Sequence, residues 1–349
     1  MSSNTTSKEP PVSETGLKND EPEQENHAKE STEQDSISLA DEADEYGQSI
    51  LPRFSSLNPK DKSYPGVGLF TLLTVAAWIS ALLVSLLLHG IRGDAPGETP
   101  TPDWMGIEAL VGSLIWIPVA LLAARRSKLD IRNAVSWKWP AAHGWKLFLL
   151  GGSAGLFMLM PAVWLQQLCS RFMPKLGTNL ILQLENQDPG PHALALISLA
   201  VVLAAPIAEE LFFRGFAMNG MTSVTPSGSR KGFWPAAIII SFVFAVIHIE
   251  PANMAPIFAL SIVLCWLQWR SSSVIPPITC HIVYNGVQIL AWLTARHSPD
   301  FDLQINGDEV TLPFTYAAAS IVLLMPVIYG VLRFTAPTQP GNIPEDPNE

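Results

Sequence analysis

Residues 192–214 read HALALISLAVVLAAPIAEELFFR. No side chain is charged from Ala193 to Ala208; then come Glu209, Glu210 and, four residues further on, Arg214. A run of this length and apolarity predicts a membrane-spanning helix, which needs about 20 mostly apolar residues. A charge inside such a helix costs at least about 2.5 kcal/mol on insertion scales, so those that persist face the protein interior and do chemistry or transport. On a helix Glu210 and Arg214 share a face and can pair. Glu209 is turned about 100° from its neighbour and is left to point elsewhere. Pro206 cannot donate a backbone hydrogen bond, so a bend is expected just before the pair.

The same pattern recurs along the chain. Apolar segments near 67–88, 107–124, 146–168, 192–213, 235–249, 256–270, 277–295 and 314–333 predict an all-α integral membrane protein of about eight transmembrane helices. The expected organisation is a tail at 1–60, a helical bundle at 61–334 and a second tail at 335–349. Gly151 and Gly155, four apart, would let another helix approach closely.

The chain is 48% hydrophobic and 15% charged, against about 25% charged in ordinary soluble proteins. The net charge of −10 belongs to the first fifty residues, which carry thirteen Asp and Glu against three Lys. That segment is too polar to offset its ordering entropy by burial and is expected to be disordered. The remainder is formally neutral, and nothing in its charge points to nucleic acid. No cleavable signal peptide is expected, so the first apolar run would act as its own insertion signal. Cys169, Cys265 and Cys280 show no CxxC spacing and read as small buried hydrophobes.

Basic residues predict the orientation. Arg53, Lys60 and Lys62 precede the first span, Arg125, Arg126, Lys128, Arg132 and Lys138 follow the second, and Arg214, Arg230 and Lys231 follow the fourth. Arg270 follows the sixth and Arg333 the eighth. With eight spans all of these fall on one side. Asp94, Glu98, Asp103, Asp300, Asp302, Asp308 and Glu309 fall on the other. The expectation is a multi-pass protein of the plasma or inner membrane with both termini cytoplasmic.

Two further segments carry polar residues at one-turn spacing: Phe244-Ala-Val-Ile-His248 and His281-Ile-Val-Tyr-Asn285. Taken singly, each of the three segments also fits a plainer role, as interface charges, a helix-contact histidine or an interhelical His–Asn pair. Taken together they assemble the parts of a hydrolase. A carboxylate and two imidazoles can position and deprotonate a water, directly or through a metal. An Asn amide can donate to the oxyanion of a tetrahedral intermediate. The other histidines, His27, His89, His143, His192 and His297, lie in the tail, in loops or at helix ends and read as solvated.

These segments resemble the three motifs of the CPBP (CAAX protease and bacteriocin-processing, Abi) family: Glu-Glu-x-x-x-Arg at Glu209, Glu210 and Arg214, Phe-x-x-x-His at Phe244 and His248, and His-x-x-x-Asn at His281 and Asn285. That family includes the type II CAAX prenyl endopeptidases. The resemblance implies an intramembrane endopeptidase with a conical catalytic cavity in the bundle, opening toward the cytoplasmic side, and a catalytic core at 191–295. Its substrates would be membrane-anchored or lipidated proteins. Glu209 and His248 would activate water, His281 and Asn285 would hold the oxyanion, and Glu210 and Arg214 would orient. The family is commonly called metalloprotease, so a divalent metal such as zinc on Glu209, His248 and His281 is a further expectation. The rival is a non-enzymatic membrane module, a transporter or an immunity-type binding protein, using the same polar cluster.

Overall fold

The computed structural model describes residues 67–93, 100–126, 131–140, 143–173, 183–184, 187–223, 230–297 and 313–335. The expected tail at 1–60 lies outside them, and so does the tail expected at 335–349 apart from Thr335. So do the charges expected at Arg53, Lys60, Lys62, Asp94, Glu98, Lys128, Asp300, Asp302, Asp308 and Glu309.

The described elements are helical, as an all-α membrane protein requires. In chain order α1 is Val67–Arg92, α2 Pro102–Leu114, α3 Trp116–Arg126, α4 Ile131–Ala134 and α5 Gly144–Ser170. α6 starts at Pro191–Ser198 and continues through a π-helical turn, Leu199–Ala204, and an α-helical piece, Ala205–Glu210. A second π segment, Leu211–Ala217, and Met218–Ser223 complete it. Then follow α7 Arg230–Val246, α8 Pro251–Ser271, α9 Ile275–His297 and α10 Phe314–Phe334.

Among the described residues six helices are long and apolar enough to cross a membrane. They correspond to six of the eight expected segments, α2 and α3 forming one span, Pro102–Arg125. That span is interrupted at Ile115 because Pro118 cannot donate to the Leu114 carbonyl one turn back. The other two expected segments depart for separate reasons. α7 has only 17 residues. α9 has 23 residues, but His281, Asn285 and Gln288 dilute its apolar character. Large apolar side chains such as Leu72, Leu87, Phe148, Val322 and Tyr329 face outward, the reverse of a soluble core.

Prolines set the helix starts. Pro191 and Pro251 occupy the first helical position, where the missing N–H is no loss. Gly151 and Gly155 make the close approach expected of them. A Cβ added at either would meet backbone carbonyl oxygen, of Pro276 and Cys280 respectively, so α5 lies directly on the start of α9.

One end of the bundle is fastened by the 131–140 loop. Gly215 of α6 lies against the Val135 backbone. Asn219 Nδ2 donates to Ser136 Oγ at 2.7 Å, and Gln268 Nε2 donates to Asn219 Oδ1 at 3.0 Å. Val274 N–H donates to the Ser136 carbonyl. Arg270 Nε donates to Thr335 Oγ1 at 2.9 Å, which brings the end of α10 to the same place. Arg132, Lys138, Arg270 and Arg333 therefore share one end of the bundle, the grouping that their order along the chain implies.

Candidate active site

Glu210 and Arg214 are both fully buried, and Arg214 Nη1 donates to Glu210 Oε1 at 2.8 Å. A buried ion pair is tolerated only when further hydrogen bonds satisfy its members. Both members have such bonds, while Glu210 Oε2 and Arg214 Nε are buried without a hydrogen-bond partner among the described residues. Arg214 Nη2 donates to Ser261 Oγ at 2.6 Å on α8. The guanidinium also stacks on the Phe244 ring of α7, 4.4 Å from its centroid. On the other side, Glu210 Oε1 accepts from His281 Nδ1 of α9 at 3.0 Å. One ion pair of α6 thus ties together three other helices.

The local backbone of α6 explains the alignment. In a π-helix the hydrogen bonds run i→i+5 and such turns are frequent at functional sites. The segment carrying Arg214 is of this kind. It winds more loosely, so residues four apart come closer to one line than in an α-helix. A first π turn, Leu199–Ala204, lies just upstream of Pro206. There the Val201 carbonyl accepts from Asn285 Nδ2 at 2.9 Å. Asn285 keeps a second amide hydrogen for another acceptor.

Glu209 is turned away from the ion pair, as its helical position requires, and its side chain is 14% exposed. His281 Nε2 stands 4.0 Å from Glu209 Oε2. That is too long for a direct hydrogen bond and short enough for one water to bond both, given contacts of about 2.8 Å. A carboxylate oxygen only accepts, so the bond to Glu210 puts a proton on His281 Nδ1. Nε2 then faces Glu209 with a lone pair, or with a second proton when the ring is charged.

His248 lies just past the end of α7, in the turn before α8. It is exposed, and its Nδ1 lies 2.6 Å from the Phe244 carbonyl. The carbonyl accepts, which again leaves Nε2 with its lone pair. His248 joins the cluster through the Phe244 ring, whose centroid lies 5.0 Å from that of His248 and 6.0 Å from that of His281. Ile249, next in the turn, has φ 55°, unusual for a β-branched residue.

The structure therefore brings Glu209, Glu210, Arg214 and His281 together directly, and Phe244 links His248 to them. Asn285 stays one turn from His281, fastened to α6. Both imidazoles have Nδ1 held and Nε2 available, an arrangement that suits a base or a metal ligand. Yet among the described residues no three His, Cys, Asp or Glu side chains are placed to hold a metal ion. Two participants had no signal in the sequence. Ser261 lies on a helix without any motif residue, and the Val201 carbonyl becomes an acceptor only through the backbone geometry of α6.

Residues 191–287 match a family model described as type II CAAX prenyl endopeptidase, Rce1-like. The matched segment covers α6, α7, α8 and the first half of α9, with all seven motif residues. Comparison with curated proteins and with solved structures finds no match. The segment is thus similar to the domain of this CAAX-type protease family, and it lies in a multi-pass membrane protein.

Proposed function

We propose, from this Rce1-like domain, that the chain is an intramembrane endopeptidase. It hydrolyses a peptide bond of a membrane-anchored, CAAX-type lipidated protein with water activated by Glu209. The observation that carries the reading is the pairing of Glu209 with His281 Nε2 at 4.0 Å, beside a carboxylate that orients the same imidazole.

The steps follow from the side chains. A water between Glu209 and His281 gives a proton to the Glu209 carboxylate as its oxygen attacks the scissile carbonyl carbon. His248, with a free Nε2, supports the deprotonation from the turn after α7. The carbonyl oxygen becomes an oxyanion, to which the second Asn285 amide hydrogen and a protonated His281 Nε2 donate. The C–N bond breaks as Glu209 returns its proton to the leaving nitrogen. Glu210 and Arg214 touch no reacting atom in this scheme and keep His281 in place.

A bilayer setting fits the substrate class. Outward-facing apolar side chains support a bilayer setting for the bundle, where a lipidated peptide concentrates. The orientation proposed is both termini on the cytoplasmic side, with the basic end of the bundle there.

The test is cleavage of peptides ending in Cys-a-a-X, prenylated and unprenylated, by the purified protein in detergent. Cleavage of the prenylated peptide is expected. Cleavage of the unprenylated peptide alone would remove lipidation from the proposal, and cleavage of neither would favour a binding or transport module. Zinc is a separate proposal, tested by metal analysis and by activity before and after chelation.

A further inference from the structure

Arg214 sits where α6, α7, α8 and α9 meet, and α8 brings Ser261 and Cys265 to it, Ser261 with an oxygen acceptor. Ser261 is fully buried. Its Oγ accepts from Arg214 Nη2 at 2.6 Å, and its backbone carbonyl lies 3.4 Å from the same nitrogen. The path from there is continuous. Arg214 Nη1 holds Glu210 Oε1 at 2.8 Å, and Glu210 Oε1 holds His281 Nδ1 at 3.0 Å. His281 Nε2 faces Glu209 Oε2.

We propose that Ser261 is a positioning residue of the active site, acting through Arg214 and Glu210 on the orientation of His281. The role rests on the hydrolytic reading above and adds to it a fourth helix, α8, outside the three motifs. The physical reason is directional. Glu210 and Phe244 hold the guanidinium along one edge and one face, and neither prevents it from pivoting about the Glu210 contact. A second anchor on Nη2 removes that freedom. Hydrogen bonds to charged groups are the stronger class, and this one lies where no water competes. If the guanidinium pivots, Glu210 Oε1 shifts with it, and the ring that faces Glu209 loses its alignment. A misplacement of about 1 Å can cost about 100-fold in rate.

The test compares Ser261→Thr with Ser261→Val in the full-length protein. These two side chains have nearly the same shape and differ in the hydroxyl. They suffer the same crowding at a fully buried position, so the ratio between them isolates the hydrogen bond. The expected result is kcat of the Val variant at least about tenfold below that of the Thr variant, with KM within about twofold. Equal kcat values, or a difference confined to KM, would overturn the proposal. A thermal-unfolding cycle with Ser261→Val, Arg214→Gln and the double variant accompanies it. Non-additive shifts in midpoint are expected, and additive shifts would overturn the contact itself. Failure of the hydrolytic reading looks different: wild-type protein cleaves neither peptide. The unfolding cycle then decides the contact alone, and positioning for catalysis is withdrawn.

Discussion

His281 donates from Nδ1 to Glu210 Oε1, the same oxygen that accepts from Arg214 Nη1. The second glutamate of the pair is therefore more than the partner of an arginine. It fixes the tautomer and the direction of an imidazole whose other nitrogen faces the first glutamate. Adjacent carboxylates on one helix have different tasks because the helix turns them to different neighbours.

Glu210→Gln follows from that double role. Gln keeps an oxygen that can accept from His281 but offers no charge to Arg214. Removing one member of a buried pair costs about 3–5 kcal/mol, since the other charge stays buried. Thermal unfolding in detergent should show a large loss. The double variant Glu210→Gln with Arg214→Gln should recover part of it. A double variant no more stable than Glu210→Gln alone would contradict the ion pair as the source.

Asn285→Ala removes the donor to the Val201 carbonyl in the first π turn of α6. A fully buried acceptor left unpaired costs about 1–3 kcal/mol, and this part-buried one should cost at the lower end. Losing an oxyanion donor costs about 100-fold or more in kcat. Both losses are expected. A variant of normal turnover and reduced stability would leave Asn285 a helix tether and take it out of the chemistry.

Gly155→Ala tests the seat of α9. The added methyl meets the Cys280 carbonyl, one residue before His281, and backbone yields less readily than a side-chain tip. Overpacking of this kind costs about 1–3 kcal/mol, and turnover should fall with it. Gly112→Ala is the contrast, because among the described residues no atom beyond its own helix backbone and chain neighbours lies within 4 Å of its added Cβ. There Ala should stabilise by up to about 1 kcal/mol through helix propensity. Equal effects at the two positions would show that the α5–α9 approach is looser than described.

Much of this was readable from residue spacing. Apolar run length predicted an all-helical membrane protein, and one-turn spacing predicted the Glu210–Arg214 pair and the separate direction of Glu209. The glycines at 151 and 155 predicted a close helix contact without naming its partner, because periodicity says which face is small and not which helix meets it. The departures have physical causes. Among the described residues six of the eight segments are long apolar helices, since α7 is short and α9 carries polar residues of the site. Ser261 was invisible because a serine in an apolar helix has no spacing signal until its neighbour in space is known. His248 was expected to activate water together with Glu209. Its Nδ1 lies at the Phe244 carbonyl near the end of α7, a local bond always within reach one turn back.

The central claim is that Glu209 is the base and not part of the scaffold. The most direct measurement is turnover of Glu209→Gln on the peptide that the wild-type protein cleaves, with thermal unfolding of both proteins alongside. Gln has nearly the same shape and cannot take the proton from water. The account predicts a loss of about 100- to 10,000-fold in kcat, with the unfolding midpoint close to wild type because the side chain is partly exposed and outside the buried ion pair. Near-normal turnover of a folded Glu209→Gln protein would contradict it.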